Sequence, residues 1–419
     1  MQPNPPGSES ITNMSADGGL PLAAPLSGVK VLDLSRVLAG PWATMTLGDL
    51  GAEIWKVEQP GSGDDTRSWA PPSVGGISTY YLTANRNKKS IAVDLSTSEG
   101  RAIVLQLAAK ADVLVENFRP SSLRKLGLTY DEVTRVNPRL IFCSISGYGR
   151  GNVLEDRPGY DFILQAECGF MSITGEPDGE PMRLGVAFVD LVSGMNAVQA
   201  ILAALYMRER TGQGQWLDIA LSDGAFFLLA NVATGYLNTS VDPPRFGNAH
   251  PSIVPYQLFN CADGRLALAV GNDEQFRRLC KDALGRPELA EDPRFTTNWK
   301  RAENRAALLP LLQESFVRSE LSEILATLRQ AGIPAGEVKT VGEAFESEAA
   351  AVRGTVVSTQ HPVLGEVRSV RSPLRLSSVS ATVPTPPPLL GEHTDLILSE
   401  VLSFSGEKID TLRATGAVA

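Results

Sequence analysis

Three histidines and four cysteines are all that this chain of 419 residues offers for metal or thiol chemistry. Cys143, Cys168, Cys261 and Cys280 show no C-x-x-C spacing and no neighbouring histidine. The usual zinc patterns are therefore excluded, and the thiols are expected to be reduced and buried in a cytoplasmic protein. His250 stands in the loop signal Gly247-Asn248-Ala249-His250-Pro251, with His361 and His393 elsewhere. Spacing yields no Ser/His/Asp or Cys/His arrangement and no carboxylate–histidine metal cluster. No apolar run approaches the ~20 residues that span a bilayer, which predicts a soluble protein without a membrane partner. Residues 1–20 contain no Lys or Arg, unlike a signal or transit peptide, and read as a disordered leader. G-x-G-x-x-G is missing, which argues against an ordinary NAD enzyme. With a net charge of -9, nucleic acid and anionic membrane are poor partners, although local basic clusters could still hold a small phosphorylated ligand.

What the chain does have is size and a regular pattern. At 44.8 kDa, with 43% hydrophobic and 20% charged residues, it can form two domains of a globular enzyme. Strands are expected at Val29–Leu34, Glu53–Glu58, Ser90–Leu95, Asp112–Glu116, Arg139–Ser144 and Gln215–Ala220. Helices are expected at Pro41–Leu50 and Ser98–Lys110. This alternation is that of an α/β parallel sheet covered by helices on both faces. From about Phe226 the pattern changes to a strand at Leu266–Val270 and a mostly helical stretch from Asp273 to about Gln330. The expected partition is a large domain over 21–225, a small α+β domain over 226–340, and a Pro-rich segment of short strands over 341–419 that returns to the large domain.

Asp190 is the most informative residue. It lies between an apolar run ending at Val189 and an amphipathic helix with Met195, Val198, Ile201, Leu202 and Leu205 on one face. At a helix start the dipole favours the ionised form, which predicts a carboxylate usable as a nucleophile at neutral pH. Asp is equally an ordinary N-cap there. Basic and amide side chains cluster at expected strand ends, in Asn85-Arg86-Asn87-Lys88-Lys89 and in Asn117-Phe118-Arg119-Pro120 with Arg124 and Lys125 behind. Such positions suit a nucleotide or coenzyme A, although a charge run is more often a solvated face. The loop Ser35-Arg36-Val37-Leu38-Ala39-Gly40-Pro41 occupies the phosphate-binding position of a doubly wound fold.

Taken in order, several motifs resemble the class III CoA-transferase (CaiB/BaiF) family. They are Leu26 to Leu34, Leu38-Ala39-Gly40-Pro41, Leu47 to Glu53, Gly61 to Arg67, Asn87 to Ser90, Val115 to Pro120 and Leu389 to Thr394. The resemblance implies a Rossmann-like large domain, a smaller domain and an interlocked-ring homodimer. It makes Asp190 the covalent nucleophile and assigns CoA to Leu38, Ala39, Asn85, Asn87, Lys88, Asn117, Phe118, Arg119 and Lys125. CoA thioesters are then substrates, and no metal or resident cofactor is called for. Gly247 and Asn248 would lie in a loop shielding the intermediates from water.

Leu38 stands where formyl-CoA transferases carry Gln, Gln59 replaces a basic residue, and Gly247 to Ile253 is not glycine-rich. These departures count against formyl or oxalyl substrates. Gly61 to Arg67, Tyr80-Tyr81-Leu82, Asn85 to Lys89 and Ile253 to Gln257 look more like the succinyl-CoA:dicarboxylate branch, which includes glutarate, itaconate and malate transferases. Arg36, Arg67 and Arg86 are candidates for the distal carboxylate of a diacid, with Tyr160 and His250 as further substrate contacts. The same resemblance extends to α-methylacyl-CoA racemases, which use a histidine in a Gly-His-Asp segment. Here that segment is Gly159-Tyr160-Asp161, and phenols, titrating near ~10, are poor partners for two-base proton exchange.

Overall fold

The computed structural model describes residues 23–379 and 383–419, so the expected leader at 1–20 lies outside the described residues. Six parallel strands form the principal sheet: β1 (Lys30–Asp33), β2 (Glu53–Glu58), β3 (Lys88–Ala92), β4 (Val113–Glu116), β5 (Ile141–Ser146) and β6 (Gln215–Ala220). They run in the order β3-β2-β1-β4-β5-β6. That order reverses between β1 and β4, which is the topological switch of a doubly wound fold. The inner strands are near-continuous apolar runs, as a sheet covered on both faces requires. Leu32, Leu114 and Phe142, for example, are at most 1% exposed.

β2 and β6 have the expected bounds. The expected Ser90–Leu95 strand starts earlier, at Lys88. The helix α1 (Ala39–Asp49) follows β1, and α2 (Ser98–Ala108) is capped by the Thr97 hydroxyl, which accepts the Gly100 N–H. Further along lie α3 (Pro120–Leu126), α4 (Asp161–Glu167), the long α5 (Phe188–Thr211) and α6 (Leu221–Leu228).

By length and composition α5 could cross a membrane. Its periodicity, however, buries Val189, Ser193, Ala197, Val198, Ile201, Ala204 and Leu205, along a face that contacts α1. Met195, expected on that face, is 48% exposed instead. The 3.6-residue period places it with Tyr206 rather than with Val198.

The chain divides into two compact units. The first takes the chain up to Cys168, Gly185–Ala233 and Gly354–Ala419, and the second takes Gly169–Leu184 and Thr234–Arg353. In the first, the C-terminal residues add an edge contact, with Ala419 N–H donating to Ala92 O and Asp94 N–H to Ala417 O. Leu412 and Val418 join the core around Ile91 and Leu107. In the second, three antiparallel strands, β7 (Tyr256–Asn260), β8 (Arg265–Ala269) and β9 (Ala335–Glu337), carry a core built on Phe259, Phe276, Phe295 and Phe316. Where the sequence suggests short strands from 341, the chain forms helices at Val341–Phe345 and Glu348–Arg353. A Thr340–Glu343 capping box starts the first of these. A hairpin of Val356–His361 and Gly365–Val370 follows.

A charged cluster is buried beneath the loop after β1. Asp33 and Lys88 pair at 3.0 Å and Lys56 and Asp64 at 2.9 Å, all four side chains being inaccessible or nearly so. Burial alone would raise the Asp33 carboxyl, but Lys88 and Lys56, with the Ser35 and Thr44 hydroxyls, hold it down to about 2. Removing one member strands the charge of its partner. Lys56→Met is therefore expected to lower unfolding stability by roughly 3–5 kcal/mol in urea melts. A loss below ~1 kcal/mol would show that Asp64 needs no counter-charge.

Candidate active site

At the switch point the loops after β1, β4 and β5 enclose a cavity of about 370 Å3. Arg36, Val37, Leu38 and Ala39 line it from the first loop, Asn117, Phe118 and Arg119 from the second, and Ser146 and Gly147 from the third. Tyr160 and Asp190 line it as well. Of the sequence-derived site residues, eight thus meet in one place: Asp190, Leu38, Ala39, Asn117, Phe118, Arg119, Arg36 and Tyr160. Lys125 lines a second cavity, of about 360 Å3, which shares Arg36, Phe118 and Ser122 with the first.

Close backbone approaches bring these loops together. A Cβ on Gly194, one turn beyond Asp190, would lie 2.7 Å from Ala39 O. Only glycine lets α5 come this near to the Leu38–Ala39 turn. Gly147 and Gly159 are packed backbone to backbone, a Cβ on Gly159 falling 2.4 Å from Gly147 Cα. Asn117 joins two of the loops, its Oδ1 accepting the Arg36 N–H at 2.9 Å and its Nδ2 donating to Arg36 O at 2.7 Å. Val37 has a φ of 72°, unusual for a β-branched residue, and its N–H is held by both Asp64 carboxylate oxygens at 3.3 Å.

Asp190 is the third residue of α5, a helix whose N-cap, Ala187, offers no side-chain acceptor. No donor among the described residues bonds its carboxylate, which stands on the wall of the cavity. Its backbone is held instead by Asp161 from α4, whose Oδ1 accepts the Val189 N–H at 2.8 Å and the Asp190 N–H at 3.4 Å. Burial, reinforced by the negative charge of Asp161, pushes the Asp190 carboxyl up to about 7. The expectation of a fully ionised side chain is corrected accordingly. A helix terminus contributes up to ~1 kcal/mol, less than desolvation beside a like charge. Tyr80 is pushed up to about 12 by burial and by the carboxylates of Asp190, Asp161 and Asp64.

Other expected contacts do not reach this cavity. Asn85 donates to Tyr81 O, and Asn87 binds Asp49 and the Thr385 N–H. Arg86 forms a two-point pair with Asp49, and Lys88 pairs with Asp33. The reason is topological: β3 is the edge strand, two strands away from β1. Asn87 and Lys88 line a different cavity, with Gly48, Thr385 and His393. Arg67 grips Glu58 through two bonds of 2.8 and 2.7 Å and lies over the Tyr81 ring.

Gly247, Asn248 and His250 belong to the second unit. Gly247 N–H donates to Gly175 O, and Asn248 is exposed. The His250 Nδ1 accepts the N–H groups of Ser252 and Ile253, both at 3.0 Å, which makes it a turn-forming residue. His361 does the same for Val363 and Leu364. Sequence reasoning did not single out Asp161, Tyr80 or the Lys56–Asp64 pair. The Gly-x-Asp segment at 159–161 was the available signal for the first.

The fold is a doubly wound α/β sheet with a cavity at its switch point and, on the cavity wall, a carboxylate that no described donor bonds. The chain belongs to the CoA-transferase family III (CaiB/BaiF), whose family model matches residues 26–394, and it is a CoA-transferase. It is 44% identical over 394 residues to the succinyl-CoA:glutarate CoA-transferase of Mus musculus, spanning 94% of this chain and 90% of the mouse protein. It is 43% identical over 383 residues to the succinate–glutarate CoA-transferase of Agrobacterium fabrum (strain C58), covering 90% and 96% of the two chains. A CAIB/BAIF family protein from Brucella suis superposes with a TM-score of 0.81 at 45% identity, covering 90% of this chain and 99% of that one.

The raised Asp190 carboxyl has a thermodynamic consequence. Its folded-state value exceeds the ~3.9 of an unfolded Asp, so the folded protein holds an extra proton in between and stability declines as pH rises from about 4 to about 7. Asp190→Asn removes that loss. The variant is expected to be more stable than the wild type by ~1–3 kcal/mol at pH 8 and equal to it near pH 4, measured by denaturant titration. Equal stability at both pH values would contradict the placement of the charge.

Proposed function

We propose that the enzyme moves CoA from succinyl-CoA to a short dicarboxylate of the glutarate type, through covalent intermediates on Asp190. The observation that carries this reading is the unbonded Asp190 carboxylate, set on the cavity wall beside Leu38 and Ala39. The named activities of the mouse and Agrobacterium relatives support the choice of donor and acceptor.

In the first step an Asp190 oxygen attacks the thioester carbonyl, the C–S bond breaks, and CoA leaves as thiolate, giving a mixed anhydride. The thiolate then attacks the Asp190 acyl carbon, expelling succinate and forming an aspartyl-CoA thioester. The acceptor carboxylate displaces the thiolate to make a second anhydride. Attack of that thiolate on the acceptor's acyl carbon frees Asp190 and yields the new thioester. Each thioester replaces another, so no external energy source is needed. The N-terminus of α1, with no side-chain cap, opens beside Leu38 and Ala39 and favours the negative charge that develops on the carbonyl oxygens. Against the racemase alternative stand Tyr160 in place of histidine and the engagement of Asp161 with backbone N–H groups.

A panel of glutarate, itaconate, malate, citramalate, formate, oxalate and carnitine, assayed with succinyl-CoA by mass detection of the product thioester, tests the substrate assignment. Diacids of four or five carbons are expected to lead. A matched monocarboxylate should be ten- to a hundredfold poorer, the loss of a charge-assisted contact of ~1.5–3 kcal/mol. Preference for formate, oxalate or carnitine would overturn the assignment.

We also propose the homodimer, in the interlocked arrangement the family resemblance implies. Tyr206, Phe226 and Phe227 on α5 and α6 are 70%, 54% and 84% exposed, and large exposed aromatics are of the kind partner chains cover. Light scattering is expected to give twice the 44.8 kDa chain mass, and a stable monomer under assay conditions would refute the dimer.

A further inference from the structure

We infer that Asp161 is a positioning residue for Asp190: its carboxylate, reaching across from α4, replaces the cap that α5 lacks and fixes the nucleophile's backbone beside a second negative charge. The inference rests on the reading of Asp190 as nucleophile. The geometry is that of a cap supplied from another element. Oδ1 takes the first-turn N–H groups of Val189 and Asp190, while Oδ2 accepts from Gln165 Nε2 at 2.6 Å, so the carboxylate is held on both sides. Asp161 is itself 7% exposed, and α4 is held against the β5 loop by the Gly147–Gly159 contact. The backbone at the start of α5 is thereby tied to the β5 loop that lines the cavity.

The second effect is electrostatic. Together with burial, the Asp161 charge holds the Asp190 carboxyl near neutrality, so its ionised form is a stronger base and nucleophile than an ordinary carboxylate. When Asp190 attacks the thioester, its oxygen forms the new C–O bond and its negative charge passes to the departing thiolate. The neutral anhydride no longer repels Asp161, so that repulsion is relieved along the reaction coordinate.

Other titratable or charged groups around Asp190 are the neutral phenol of Tyr80 from the short helix Thr79–Thr83, and Arg36, Asp65, Arg119, Glu155 and Arg157 on the cavity walls. Asp223 lies on α6, which contacts both α4 and α5. Among these, Asp161 alone bonds the Asp190 backbone.

The test is the pH profile of kcat/KM for the full-length enzyme with succinyl-CoA and the best acceptor of the panel. Asp161→Asn keeps an oxygen for the Val189 N–H and removes the charge. Its acid limb is expected to move down by about one pH unit or more. Above pH 8 its kcat should fall, with KM changed less than about twofold. Asp161→Glu restores the charge and should keep the wild-type limb, which a purely structural role would not require. An unmoved limb in Asp161→Asn overturns the inference. Asp190→Asn serves as the control: if it transfers CoA at a near wild-type rate, the nucleophile reading fails as well. An inactive Asp190→Asn with an unmoved Asp161→Asn limb sinks the role of Asp161 alone.

Discussion

The buried pairs Asp33–Lys88 and Lys56–Asp64 are the constraint on which the rest of this architecture depends. Four charges, on Asp33 at the end of β1, Lys56 within β2, Lys88 at the start of β3 and Asp64 in the loop after β2, are taken out of water, and desolvation on that scale is tolerated only when each charge is matched and hydrogen-bonded. The matching extends into the backbone. Lys56 donates to Ser35 O, Lys88 to Pro41 O, and Asp64 accepts the Val37 N–H. The turn between β1 and α1 is therefore anchored from below at three points. A left-handed valine costs ~1–3 kcal/mol and persists only where its surroundings over-determine it, which these contacts do. The cavity wall at Val37–Ala39 is thus a rigid consequence of charge pairing in the sheet.

Asp190 follows the opposite rule. In the cluster every carboxylate faces a cation, and Asp33 is held low. At α5 the nearest charge is another carboxylate, and Asp190 is held high. Both groups are desolvated, so burial does not distinguish them. The sign of the neighbour does: paired cations hold Asp33 down, while the like charge of Asp161 adds to burial at Asp190.

How much of this is legible in the sequence follows from which interactions are local. β2 and β6 can be read to the residue because β-branched and apolar runs bounded by turn residues report their own burial. Asp190 is legible because a carboxylate at the start of an amphipathic helix is a local pattern. Its protonation is not, since Asp161 lies on a different helix. Arg86 and Lys88 read as ligand contacts in a linear reading, and their pairing with Asp49 and Asp33 is not legible there because those partners lie on α1 and β1. The hydrogen bonds of His250 are likewise not legible in a linear reading. Its role as a backbone acceptor depends on the turn formed by the residues that follow it. The helices over 341–353 are the exception, since the Thr340–Glu343 capping box is a local signal, masked by the prolines further on.

Charge partners also decide which arginine can meet a distal carboxylate. Releasing Arg67 would strand Glu58, which is 4% exposed, and releasing Arg86 would strand Asp49. Each loss amounts to several kcal/mol, more than a new contact with substrate returns. Arg36 differs. Its pair with Asp65 spans 3.4 Å with both side chains about half exposed, an interaction worth ~0–1 kcal/mol. Arg119, exposed on the same wall, forms no ion pair with any described residue. Cations that can change partners at small cost are the ones suited to a ligand that arrives and leaves, and on this cavity wall Arg36 and Arg119 meet that condition.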